Sequence, residues 1–226
     1  MRPELQMLLN DATNFVLLGE SGCGKSEIAL NLAFALAEQG ETHLFDLDQT
    51  KPLFRSRNMA DEAARRGVYI HFSEQYYDAP TLAAGVPERL ANPSEYVVVD
   101  VGGNDTGARM IGRFAAILNQ SHSKVFYVVN PYRPWSKNIE SIDGIMSSIL
   151  KVSRLQSIHL LANPNIGAAT TQADFRAGLE QTQRLLEAFA SVEGVCVQES
   201  LYEYAKRVTQ LPIIQLHLYL NYNWLE

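Results

Sequence analysis

The segment that most constrains this chain is Gly19-Glu20-Ser21-Gly22-Cys23-Gly24-Lys25-Ser26. The apolar run Phe15-Val16-Leu17-Leu18 precedes it, and a helix-prone stretch from Lys25 to about Gln39, closed by Gly40, follows. The eight residues satisfy G-x-x-x-x-G-K-[ST] without a mismatch, between a predicted strand and a predicted helix, the context in which the pattern has physical meaning. Glycines let successive backbone N–H groups converge on phosphate oxygens, and the start of the helix turns its positive end toward the anion. Every residue from Gly19 to Ser26 is therefore a candidate nucleotide ligand. Lys25 is the candidate charge for the β and γ phosphates, and Ser26 the candidate hydroxyl ligand of Mg2+. Cys23 reads as a small filler of the loop before it reads as a reactive thiol.

The rest of the chain repeats the strand-then-helix order. Strands are predicted at His43 to Phe45, Val68 to Phe72, Tyr96 to Val99, Val125 to Val129 and Ile158 to Leu161. Helices are predicted at Met59 to Arg66, Gly107 to Asn119, Ile139 to Leu150 and Gln172 to Phe189. Strands as uniformly apolar as Tyr96-Val97-Val98-Val99 have no wet face, so the fold class is α/β, a mostly parallel central sheet with helices on both faces. Ligands in such sheets bind beyond the carboxyl ends of the strands. At 226 residues and 46% hydrophobic composition the chain fits one domain over 1–226. Within it, residues 211–226 are apolar and aromatic, and read as a strand, a helix or a partner-binding tail.

Phosphoryl chemistry needs groups that hold metal and orient the attacking oxygen as well as a phosphate cradle. Asp100 ends the strand Tyr96 to Val99 and is followed by Gly102-Gly103, a pair able to offer a backbone N–H to the γ-phosphate. Asp46 and Asp48 follow His43 to Phe45, a strand expected beside the phosphate-loop strand. A carboxylate at the top of a buried strand is costly unless a cation is near, which makes Asp46 and Asp100 metal candidates. Asp48 reads equally as a solvated turn acid.

With these residues in view the sequence resembles the MinD, ParA and nitrogenase iron protein group of P-loop ATPases, which also holds cobyrinate amidase and dethiobiotin synthetase domains. The resemblance rests on Gly19 to Ser26, Phe45-Asp46-Leu47-Asp48, Val99-Asp100-Val101-Gly102-Gly103 and Leu161-Ala162-Asn163. It continues through Val197-Gln198-Glu199 and Ala205 to Leu211-Pro212-Ile213, as a closing strand, loop and helix. It implies ATP and Mg2+ as cofactors, catalytic roles for Lys25 and Asp46, water-mediated metal binding by Asp100, and a purine contact by Asn163. One position departs: Glu20 stands where the cell-division and partition ATPases carry a second lysine that crosses a dimer interface. A carboxylate there repels an opposing phosphate, so a homodimer remains an open alternative. Arg55 and Arg57 are candidate substitutes if their segment is a switch.

The formal charge of -6 gives no broad surface for tracking nucleic acid, so no nucleic-acid partner is expected. No apolar run reaches the length of a bilayer span, which points to a cytoplasmic protein with no integral membrane segment. The histidines, His43, His71, His159 and His217 among them, have no second ligand at metal-binding spacing. The loop Asn130-Pro131-Tyr132-Arg133-Pro134-Trp135 reads as a substrate or partner contact or as rigid packing. The aromatics Tyr76, Tyr77, Tyr219, Tyr222 and Trp224 read as packing or as a partner surface. These residues lead to a nucleotide-switch ATPase acting on a protein partner. The alternatives are a small-molecule kinase or ligase of the dethiobiotin synthetase type, with Arg133 and Lys137 as its anion pocket, and a nucleotide binder with lapsed catalysis.

Overall fold

Alternate residues of the first strand serve opposite faces of a sheet, and all are shielded: Phe15, Val16 and Leu17 have no exposed surface. In the computed structural model, which describes residues 1–48, 60–72, 85–103, 105–120, 122–188 and 190–220, eight strands form one sheet. They are β1 (Asn14–Gly19), β2 (Thr42–Asp46), β3 (Val68–Phe72), β4 (Tyr96–Asp100), β5 (Ser123–Val129), β6 (His159–Ala162), β7 (Val192–Gln198) and β8 (Ile213–Leu216). Their order is β3-β2-β4-β1-β5-β6-β7-β8, and every neighbouring pair is parallel. The helices are α1 (Pro3–Leu9), α2 (Lys25–Ala37), α3 (Ala60–Arg65), α4 (Val86–Leu90), α5 (Asp105–Ile111), α6 (Ala115–Leu118), α7 (Ile139–Ser153), α8 (Gln172–Leu186) and α9 (Tyr202–Val208).

The helices cover both faces, as a parallel sheet requires. On one face α1 and α2 bury Leu5, Leu8, Ile28 and Leu32 with Phe15, Leu17, Phe126 and Val128. On the other, Ile111, Ile142, Met146, Phe175 and Ala205 pack with Val16, Leu18, Val97, Val99 and Val195. Among the described residues no helix is long and apolar enough to cross a membrane.

The structure corrects the expected strand neighbours. β2 does not lie beside β1; β4 is inserted between them, with Phe45 opposite Val99 and Val16 opposite Val99 on its other side. The helix predicted over Gly107 to Asn119 is broken into α5, a 3-10 turn at Gly112–Phe114, and α6. The cause is tertiary: a Cβ on Gly112 would lie 2.8 Å from the Val152 carbonyl oxygen, so α7 crosses close against the backbone at this point. α7 itself runs on to Ser153 and ends at Arg154 in the left-handed region (φ 58°). α8 stops at Leu186, and Phe189 lies outside the described residues.

The closing segment is strand, helix and strand, β7, α9 and β8, instead of strand, loop and helix. The part of 211–226 that is described becomes strand β8 and a run across α2. Glu27 accepts from the Tyr219 and Leu220 N–H groups, and the Tyr219 ring meets Phe34 edge-on at 4.9 Å. Tyr219 is thus packed, whereas Tyr76, Tyr77, Tyr222 and Trp224 lie outside the described residues.

Phe15 stacks on Phe126 at 6.5 Å between ring centroids, under α2. Phe15→Ala is expected to cost about 3–5 kcal/mol, seen as a lower urea midpoint with an unchanged slope of unfolding free energy against urea.

Candidate functional site

β1 ends at Gly19 and α2 begins at Lys25, so the loop between them sits at the carboxyl end of the sheet beneath a helix N-terminus. Gly24 occupies the cap with φ 99°, a conformation that a side chain resists, and a Cβ there would collide with the Asn163 amide nitrogen. Lys25 is 5% exposed. Its ammonium donates to the carbonyl oxygens of Gly19 at 3.0 Å and Glu20 at 2.8 Å, and lies 3.8 Å from the Cys23 sulfur.

Two other segments grip the loop. Asn163, just past β6 and 3% exposed, donates from Nδ2 to the Cys23 carbonyl oxygen at 2.7 Å. Arg133, past β5, donates from Nε to the Gly22 carbonyl oxygen at 2.8 Å. The Gly24 carbonyl oxygen accepts from the Ile28 N–H. Asn163, expected at a purine base, thus has its amide nitrogen committed to the loop backbone. Neither this brace nor the reach of Arg133 to Gly22 was foreseen. Lys137 is exposed.

The acids gather beside the loop. Asp100 is opposite Leu17 of β1 on one side and opposite Asp46 of β2 on the other. Asp46, Asp48 and Asp100 are 1%, 3% and 2% exposed, so Asp48 is no solvated turn acid. The Asp48 N–H donates to Asp46 Oδ1 at 3.1 Å. A Cβ on Gly102 would lie 2.9 Å from Asp48 Oδ1, and one on Gly103 would lie 2.6 Å from the Ser21 backbone nitrogen. The glycine pair therefore lets this turn press directly against both the acid and the phosphate loop. Arg55 and Arg57 lie outside the described residues.

Glu20 is partly buried, and that burial raises its carboxyl above the ordinary range, against the Lys25 charge and the Ser21 N–H, which act to lower it. Burial chiefly, with Glu20 second, also raises the Tyr127 hydroxyl far above its ordinary value. Asp46 and Asp100 are buried and opposite one another on neighbouring strands, and such carboxylates offer the oxygen donors that a hard divalent cation takes.

A sequence profile of the CobQ/CobB/MinD/ParA nucleotide binding domain matches residues 15–165, more than half of the chain. No curated protein sequence matches it. Among solved structures, FlhF complexed with GTP and Mg2+ superposes with a TM-score of 0.51 at 14% identity, over 83% of this chain and 70% of that one. Chloroplast FtsY from Physcomitrella patens gives 0.54 at 13% identity, over 85% and 64%. The signal recognition particle 54 kDa protein from Aeropyrum pernix K1, in complex with GDP, gives 0.50 at 17% identity, over 81% and 41%. This chain spans less than two thirds of the length of the last two. At these identities the likeness is one of fold, the P-loop NTPase fold.

Asn163→Ala would leave the Cys23 carbonyl oxygen without its side-chain donor. A loss of about 1–3 kcal/mol in unfolding free energy is expected, together with faster amide hydrogen exchange in residues 22 to 26.

Proposed function

The chain belongs to the CobQ/CobB/MinD/ParA nucleotide binding domain family, and on that premise we propose that it is a Mg-dependent ATP-binding protein, a nucleotide switch whose state is read by a protein partner. The observation that carries this reading is the contact of three parts around one loop. Lys25 and the cap at Gly24 are set by α2, Asp100 is paired to the loop's own strand, and Gly103 presses on Ser21.

In this reading the loop from Gly19 through Glu20, Ser21, Gly22, Cys23 and Gly24 to Lys25 and Ser26 wraps the phosphates. Lys25 turns its ammonium to them from the loop carbonyls and the Cys23 sulfur that it meets here. Ser26, Asp46 and Asp100 would hold Mg2+, which when bound neutralises charge on the β and γ oxygens. Asp46, through its buried carboxylate, orients the attacking water. Gly102 and Gly103 sense the γ-phosphate by their backbone, and a change there reaches the surface through the turn that follows β4. Asn163 braces the loop and marks the base side. We propose ATP because the guanine-selecting run Asn-Lys-x-Asp is absent and Asn163-Pro164-Asn165 stands in its place. FlhF was crystallised with GTP, so the base is tested and not assumed. We further propose that 1–226 forms one nucleotide-binding domain acting in the cytoplasm, with no nucleic-acid partner.

A second reading is favoured by one residue. Glu20 provides no charge for a partner's phosphate, which suits a binder with little turnover and a switch that need not form a nucleotide-sandwiched homodimer.

Thermal unfolding with Mg·ATP, Mg·ADP, Mg·GTP and no ligand, paired with phosphate release, tests the proposal. ATP at a hundred times its dissociation constant should add about 2.7 kcal/mol of stability, and Lys25→Ala should abolish that gain. Gain with release supports the switch ATPase, and gain without release supports the binder. No gain with any nucleotide, or a Lys25→Ala variant that keeps tight Mg·ATP binding, sinks both.

A further inference from the structure

At the opposite end of β2 and β4 from the phosphate loop, the pleat brings three side chains together. Glu41 and His43 are two residues apart and so share one face of the chain entering β2. Thr42 is opposite Tyr96, which sets Glu95 beside Glu41 in the adjacent strand. His43 Nε2 lies 3.1 Å from Glu41 Oε1 and 3.4 Å from Glu95 Oε2, and the three ligand atoms lie within 4.8 Å of one another. The His43 side chain is 3% exposed and that of Glu95 12%. Glu41 is half exposed and opens the cluster to solvent.

The atoms not facing the centre are already held. His43 Nδ1 meets His71 Nε2 at 2.8 Å. Glu95 Oε1 accepts from Arg89 at 2.6 Å and from Asn92 at 2.7 Å. Glu95 Oε2, by contrast, is buried and has no hydrogen-bond partner among the described residues. One carboxylate oxygen is thus fixed by donors while the other is left facing an imidazole nitrogen, which is the outer-shell pattern of ligands that bind metal.

We propose that His43 Nε2, Glu41 and Glu95 Oε2 form a binding site for a zinc-class divalent cation. Zinc bonds of about 2.0–2.1 Å in tetrahedral geometry separate neighbouring ligand atoms by about 3.3 Å, and the two edges at His43 match that spacing. A water at the open Glu41 side completes four-coordination. An imidazole among the ligands selects zinc or a neighbouring transition metal over Mg2+, which takes oxygen. Binding requires the Nε2 lone pair. The imidazole proton then sits on Nδ1 and is donated to His71 Nε2. Arg89 lies 3.8 Å from Glu41 Oε1 and 2.6 Å from Glu95 Oε1, and among the described residues it is the only arginine or lysine within ion-pair distance of the two carboxylates. Adding a dication therefore leaves the cluster with a modest positive charge and no unopposed repulsion between acids.

The experiment is calorimetric titration of the full chain with Zn2+ in excess Mg2+, with Co2+ absorption as the second readout. One equivalent is expected to bind, with d–d bands of tetrahedral cobalt, and to raise the melting temperature. Glu95→Gln and Glu41→Gln should each weaken binding at least tenfold, and His71→Ala by about tenfold to a hundredfold through the outer shell. Circular dichroism establishes that each variant is folded, and Mg·ATP binding at the far end of the sheet should not change. Absence of stoichiometric binding, or binding that Glu95→Gln and Glu41→Gln leave intact, overturns the proposal.

Discussion

The loop between β1 and α2 lies outside the sheet ladder, and several of its carbonyl oxygens turn into the protein. Buried carbonyls need donors. Here the carbonyls are held nearly residue by residue: Gly19 and Glu20 by the Lys25 ammonium, Gly22 by Arg133 at the exposed rim, Cys23 by Asn163 and Gly24 by the next helical turn. These donors come from α2, from the loop after β5 and from the end of β6. The loop conformation consequently depends on the whole central part of the sheet, because only with β5 beside β1 and β6 beside β5 do Arg133 and Asn163 arrive at the same turn.

The insertion of β4 between β1 and β2 serves the same site from the other side. It makes Asp100, not Asp46, the acid adjacent to the loop's strand, and it places Asp46 one strand further out. The turn after β4 can then fold over the loop, and it does so at a distance that only glycine permits, since any Cβ at residue 103 would strike the Ser21 backbone. Close backbone contact replaces a side-chain interaction here, so movement of the loop and movement of this turn are mechanically joined.

The loop from Gly19 to Ser26 was legible as a strand-to-helix turn because its pattern lies in eight consecutive residues between two elements of plain periodicity. The strands and most helices were legible for the same local reason. What escaped was non-local. Strand order depends on neighbours that no window contains, and so β2 was expected beside β1. The helix from Gly107 was expected to run to Asn119, but the break at Gly112 answers to the approach of α7. Asn163 was read by resemblance as a base contact, and its hold on Cys23 shows only when β6 is placed. His43 showed no second ligand at metal-binding spacing in the sequence, because Glu95 comes from a different strand.

The same two strands carry polar groups at both ends, and parity keeps the groups apart. Residues 41, 43 and 45 of the β2 region and 95, 97 and 99 of the β4 region face the layer of α5 and α7, where Phe45, Val97 and Val99 are packed. Residues 44 and 98 face α2, and by alternation Asp46 and Asp100 turn to that side, toward the loop. A slip of one residue in either strand would send the acids of the loop to the wrong face and His43 beneath α2. The register of β2 on β4 is therefore fixed twice, by the apolar core between its ends and by two charged clusters that each have a place on only one face.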